Sequence, residues 1–230
     1  MDASMKRTSS YSEPEGTAQL PRGRHGLSRQ FVLDNQRERI VRAMVDTAAE
    51  RGYAETAVAD VIKRAGVSRK TFYENFKSKE ACFLAAYDTV SGRLSTAAIQ
   101  AYKSADDWTQ GIRAALRACV EALVDDPAGA RVAFVEILAA GPHALERYEA
   151  SVRRFIPMIE LGRSQAVHGP ELPPRLAEEV IGGVSQAMYL KILEGDIAAL
   201  EQSVDELLYF TLVPFIGHER ARAIAFADCD

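Results

Sequence analysis

Thr56-Ala57-Val58-Ala59-Asp60-Val61-Ile62-Lys63-Arg64-Ala65-Gly66-Val67-Ser68-Arg69-Lys70-Thr71-Phe72-Tyr73-Glu74-Asn75-Phe76 is the stretch on which the fold turns. Val58, Val61, Ile62 and Ala65 mark one helical face, Gly66 interrupts it, and Phe72 and Phe76 pair at i, i+4 beyond the break. Thr56 is expected to cap the first short helix and Ser68 the second, since each offers a side-chain oxygen to the free amides of a helix start. Two short helices joined at a glycine turn make a helix-turn-helix, here over about residues 57–76. Val58, Val61, Ile62, Val67, Phe72 and Phe76 can hold the two helices at a fixed angle. That leaves the first turn of the second helix free to enter a DNA major groove. Arg69, Lys70, Thr71, Tyr73 and Asn75 lie there, off the apolar face, with Ser68 just ahead of them. Lys77 and Lys79 follow where a helix start and a cation together suit a phosphate. On pattern alone, the same stretch fits a plain helical hairpin.

Outward from the motif, charge is unevenly placed. Residues 22–80 carry thirteen Lys/Arg against eight Asp/Glu, and residues 81–230 carry thirteen against twenty-one. A basic module on an acidic body is the footprint of a nucleic-acid binder. The 230 residues, 47% apolar and 26% charged, suit a globular chain with a sizeable core. No apolar run is long enough to span a membrane, and no secretory h-region is expected at the N-terminus. Cys82, Cys119 and Cys229 are odd in number and scattered, which argues for a reducing cytoplasm rather than a disulfide framework. His25, His143, His168 and His218 stand at no metal-ligand spacing, so neither a metal nor a cofactor is expected. No Ser/His/Asp constellation, Glu-x-x-His pair or phosphate-binding glycine loop points to an enzyme.

Residues 1–35 read as a disordered tail followed by a basic arm, in which Arg22, Arg24 and Arg29 could reach DNA. From residue 35 the pattern is helical throughout. Asp34 or Asn35 serves as an N-cap, and Ile40, Val41, Met44, Val45 and Ala48 form one face that stops at Gly52. Ser78 caps a long fourth helix running past Ile99. Further helices are expected from Asp107 to Pro127, through Val132–Leu138, from Ala144 to Gln165, over Arg175–Leu193 and over Val204–Gly217. The fold class is therefore all-α: a three-helix head with a helix-turn-helix on a C-terminal helical body.

The quoted elements resemble a known family. Arg39-Ile40-Val41 through Gly52-Tyr53, Thr56-Ala57-Val58, Ala65-Gly66-Val67-Ser68, Thr71-Phe72-Tyr73, Phe76 and Ser78-Lys79-Glu80 are similar, in register, to the TetR-family DNA-binding domain over roughly residues 36–96. The resemblance implies that Thr56 caps its helix and touches a phosphate. It also implies that Tyr73 and Lys79 contact the DNA backbone and that Arg69, Lys70 and Thr71 read bases. Asn75 stands where the family often has His or Tyr, and Ala57 where a second Thr is frequent.

For the body, residues 97–230, the sequence suggests a dimerisation and ligand-binding role. The helix over Val204–Gly217 is apolar nearly all round, and Gly182, Gly183 and Ala187 would let a neighbouring helix come close, as in a two-fold four-helix bundle. Tyr102, Trp108, Phe134, Phe155, Met158, Met188 and Tyr189 are candidate pocket residues. Glu136, inside an apolar run, is a candidate to orient a polar ligand group or to pair with Arg154. The expectation is a homodimer that binds a palindromic operator in double-stranded DNA as a repressor and lets go when a small, mostly hydrophobic ligand binds. The alternative is a regulator governed by a protein partner, or an activator, without a small inducer.

Overall fold

The computed structural model describes residues 29–227, which are helical with no strand among them. The first helix, α1 (Arg29–Arg51), starts some six residues earlier than expected. Gln30 donates to Asp34 across one turn at 2.9 Å, so Asp34 lies inside the helix. Asn35 is buried inside the helix as well. Ile40, Met44, Val45 and Ala48 form the buried face, and α1 stops at Gly52, whose φ of +84° only glycine tolerates readily.

Next come α2 (Val58–Ala65) and α3 (Arg69–Asn75), separated by Gly66 in the left-handed region. Arg39 of α1 donates to the carbonyls of Ala65 and Gly66 and so braces this turn. Ser68 accepts from the Thr71 amide at 3.0 Å and caps α3 as expected. Phe72 is fully buried and Phe76 nearly so, with their ring centroids 6.0 Å apart. Ser78 likewise caps α4 (Lys79–Lys103), accepting from Ala81 at 3.0 Å.

The body is built on α4, which packs along α5 (Trp108–Asp125). Asp107 caps α5 and Asp126 caps α6 (Pro127–Phe134). The helix expected over Val132–Leu138 is broken. α6 ends at Phe134, and a 3₁₀ turn over Glu136–Ala139 swings Glu136 out of line. The single helix expected from Ala144 to Gln165 is also divided, into α7 (Pro142–Arg153) and α8 (Ile156–Glu160), then a 3₁₀ segment. Pro157 accounts for this, because its ring clashes with the carbonyl four residues back and it lacks an amide hydrogen. α9 (Leu176–Glu194), α10 (Ala199–Gln202), α11 (Val204–Ile216) and α12 (His218–Ala225) complete the bundle. Arg113 of α5, largely buried, binds Asp205 at 3.1 Å and the carbonyl of Ile224, pinning α11 and α12 to the core. Leu208, Thr211, Leu212 and Phe215 of α11 are buried, but Phe210 is 47% exposed and lies across Gly183 of α9. The outer face of these two helices is thus apolar and uncovered. No helix of the described residues is long and apolar enough to cross a membrane.

Candidate nucleic-acid interface and effector cavity

The head orients α3 through its buried edge. Phe72 and Phe76 point into the core, so Arg69, Lys70 and Tyr73 point out. Arg69 stacks over the Tyr73 ring at 5.6 Å, and Tyr73 is 45% exposed. Lys70 lies 3.8 Å from Glu74, both strongly exposed, a pairing worth little that DNA could readily displace. Thr71 shares a hydrogen bond with Ser68 at 2.9 Å, so these two hydroxyls mark the lip of the α3 N-terminus. Lys63, Lys77 and the pair Arg69 and Lys70 all face solvent. A cationic helix start with free amides at its tip is what a phosphate-lined groove requires.

Three expected contacts are otherwise engaged. Thr56 is buried, and its hydroxyl donates to the Gly52 carbonyl at 2.8 Å. Ala57 takes the cap position instead, with Asp60 accepting from its amide at 3.3 Å, so Thr56 neither caps nor faces a phosphate. Asn75 turns back to donate to the Thr71 carbonyl at 2.9 Å. Lys79 donates to the carbonyls of Tyr53 and Ala54 at 3.0 and 3.2 Å and sits 4.3 Å over the Tyr53 ring, clamping the α1–α2 turn. Arg22 and Arg24 lie outside the described residues.

Of the eight body residues singled out, Phe134, Phe155, Met158 and Met188 line one cavity, of about 90 Å³, among α4 to α9 and α11. The other four do not. Tyr102 covers Gly111 of α5. Trp108 donates to the Met158 carbonyl at 3.0 Å and stacks edge-on against Phe215, one layer behind the cavity. Tyr189, half-buried on α9, is absent from the wall. Glu136 belongs to the junction with the head. Its carboxylate, 7% exposed, accepts from the Tyr53 amide at 2.8 Å and pairs with Arg131 at 3.1 Å. Arg154, the partner expected for it, donates to Ser95 at 3.4 Å instead.

Sequence reading missed the polar wall. Tyr87 and Ser91 of α4, Tyr148 and Ser151 of α7 and Ser185 of α9 face the cavity. Burial pushes the Tyr87 phenol up to about 12 and raises that of Tyr148. The signal in the sequence was a Tyr followed three or four residues later by Ser on otherwise apolar helical faces.

One long helix and two short ones, the last of them exposed and cationic, joined to an all-helical body, form the architecture of a helix-turn-helix regulator. Residues 40–86 match the model of the bacterial regulatory proteins of the tetR family. These residues make the head a DNA-binding domain of the tetR type. Among its curated relatives, the chain is similar to the HTH-type transcriptional activator FasR of Mycolicibacterium smegmatis, 28% identical over 114 residues, which are 50% of this chain and 52% of that protein. It is also similar to the HTH-type transcriptional regulator EthR of the same organism, 31% identical over 138 residues, 59% of this chain and 62% of that one. The match thus spans little more than half the length of these relatives. Two solved structures share the fold. A TetR-family regulator from Marinobacter aquaeolei superposes with a TM-score of 0.65, 21% identity and coverage of 81% of this chain and 98% of that one. The regulator FadR of Bacillus subtilis, solved in complex with stearoyl-CoA, gives 0.63, 22%, 74% and 96%.

Proposed function

We propose that the protein is a sequence-specific DNA-binding regulator that acts as a two-fold dimer and holds a palindromic operator. In this reading, a small apolar molecule entering the body cavity releases it as a repressor. The carrying observation is the solvent-facing trio Arg69, Lys70 and Tyr73 on a helix whose opposite edge is locked by Phe72 and Phe76. Arg69 and Lys70 read base edges, Thr71 and Ser68 approach the backbone at the helix start, and Tyr73 holds a phosphate. The uncovered apolar face around Phe210 and Leu190, with Gly182 open to close approach, supports pairing of α9 and α11 with a second copy.

The FadR structure carries a long acyl ligand, and its shared fold supports a ligand-bearing body here. Glu136 supplies a route from the cavity to the head. It follows Phe134, a cavity wall, by two residues and grips the Tyr53 amide in the turn that Lys79 holds from the other side. The cavity is smaller than the ~150 Å³ that accepts a benzene, so any larger occupant must part its walls. Parting them moves Phe134, and with it Glu136 and the head. DNA bound by both heads needs a fixed separation, so such movement opposes it.

The test is selection of bound duplexes from a random pool by the full chain. The expected product is a palindrome with half-sites about one helical turn, ~34–36 Å, apart or somewhat more. Only asymmetric sequences, or no enrichment, would overturn the reading.

A further inference from the structure

α3 carries two side-chain pairs at i, i+4, and they differ in kind. Lys70 and Glu74 approach only to 3.8 Å and are strongly exposed, so the pair is loose and its carboxylate opposes a phosphate. Arg69 instead lies over the ring of Tyr73, its guanidinium carbon 5.6 Å from the centroid. That ring is itself seated. It meets the ring of Phe72 edge-on, with centroids 5.3 Å apart and planes at 86°, and Phe72 is fully buried. A line of contacts thus runs from the core, through an aromatic edge and an aromatic face, to an exposed cation.

The needs of the helix do not explain this cation. Arg69 and Lys70 open α3 with no acidic residue in its first turn, so both stand at the end of the helix where positive charge is disfavoured. Among the described residues no carboxylate or carbonyl bonds Arg69, so its N–H donors are uncommitted. A guanidinium stacked on a ring keeps those donors in its own plane, where they still point outward. A free arginine gives up rotamer freedom when it bonds a base, and one already seated on a ring gives up less.

A fork held in place discriminates between bases. In the major groove, guanine offers the acceptors O6 and N7 side by side. Adenine sets a donor beside its acceptor, thymine a methyl group, and cytosine presents a donor. Lys70, a point charge on a flexible stem, makes no such demand.

We infer, resting on the DNA-binding reading above, that Tyr73 is the positioning residue for Arg69 and that each operator half-site carries a guanine opposite Arg69.

The test uses the full chain and the duplex it selects, with each half-site position changed in turn to the other bases, symmetrically in both halves. Competition binding then gives the base preference at every position for wild type, Arg69→Ala, Tyr73→Phe, Tyr73→Leu and the double variant Arg69→Ala with Tyr73→Leu. Wild type should prefer guanine at one position by about fivefold or more per half-site, and Arg69→Ala should erase that preference. Tyr73→Phe keeps the ring and loses the hydroxyl, so it should weaken every duplex alike and leave the preference as it was. Tyr73→Leu should cut the preference about two- to fivefold per half-site, the worth of one exposed cation–π contact, and should add nothing at that position once Arg69 is gone. If Tyr73→Leu melts early for want of its contact with Phe72, Tyr73→Met takes its place. An unchanged preference in these ring-deleting variants would overturn the inference by leaving Tyr73 a phosphate contact only. A loss in Tyr73→Phe equal to theirs would overturn it by giving the role to the hydroxyl. A selected site with no guanine that depends on Arg69 would overturn it outright. Failure of the underlying reading looks different: no duplex is enriched, or Arg69→Ala and Lys70→Ala both bind the selected duplex as wild type does.

Discussion

The head and the body use buried polar groups in opposite ways. In the head, several polar side chains close local bonds that fix backbone. Arg39 holds the α2–α3 turn, Lys79 the α1–α2 turn, Thr56 the end of α1, and Ser68 the start of α3. In the body, Tyr87, Ser91, Tyr148, Ser151 and Ser185 gather around empty space. A well-filled region with satisfied polar groups has one arrangement, whereas a region with a void can be repacked around an occupant. The contrast fits a rigid reader beneath a body able to change state, with Glu136 the tie between them.

The largest break of that contrast comes from the head's core. Phe72→Ala should cost about 3–5 kcal/mol through lost transfer energy and a cavity. Chemical denaturation should show it, and DNA binding should vanish because α3 loses its seat. A similar void in the body, already cavity-bearing, should be tolerated better.

Next is the reading surface. Arg69→Ala or Lys70→Ala should weaken binding to the selected duplex by ~1–3 kcal/mol for each base contact removed and relax specificity at that position. Thermal stability should stay where it was, since both side chains are exposed. A drop in melting temperature would place them in the fold rather than at the groove.

The tie itself is tested by Glu136→Ala. Removing the carboxylate leaves the Tyr53 amide without its acceptor and Arg131 without its anion, at a cost of roughly 1–3 kcal/mol. Ligand affinity should persist while its effect on DNA affinity shrinks. Coupling of wild-type size would show that the signal travels by α4 alone.

The smallest effect is at the outer edge of the junction. His143 of α7 meets Glu80 in the first turn of α4 at 2.9 Å, and this hydrogen bond, with the neighbouring charges of Glu80 and Glu146, raises its pKa above 6.5. A raised pKa in the folded state means that the contact helps fully below 6.5 and is lost as pH climbs past the folded value. His143→Ala should therefore flatten the stability profile just above pH 6.5 and leave alkaline stability unchanged. Because His143 is largely exposed to water, the change should be slight.

How far the sequence foretold this arrangement follows the same divide. The helix faces of Ile40–Ala48 and Phe72–Phe76, and the caps Ser68 and Ser78, were legible because local spacing and cap chemistry determine them. The partners of Thr56, Asn75 and Lys79 were not legible, because they are carbonyls that only the folded turns bring near. In the body, Phe134, Phe155, Met158 and Met188 line the cavity, while Trp108, Tyr102 and Tyr189 are of the same residue types and lie elsewhere. An aromatic or a methionine on an apolar face does not reveal whether it meets another side chain or a void. Glu136 was recognised as out of place in its apolar run, but its partner is an amide 83 positions away. The break at Phe134 that lets it turn is a tertiary choice, made where α6 meets the head. Pro157, by contrast, was a readable stop that the helical pattern around it obscured.

The account stands or falls on linkage between the two regions. The direct measurement is calorimetric titration of the full chain with a cavity ligand, alone and saturated with its selected duplex. The duplex should weaken ligand affinity by the factor by which the ligand weakens duplex affinity, about 5–150-fold for a typical coupling of ~1–3 kcal/mol. Identical ligand affinity in the presence and absence of saturating duplex would contradict the claim that the body controls the head.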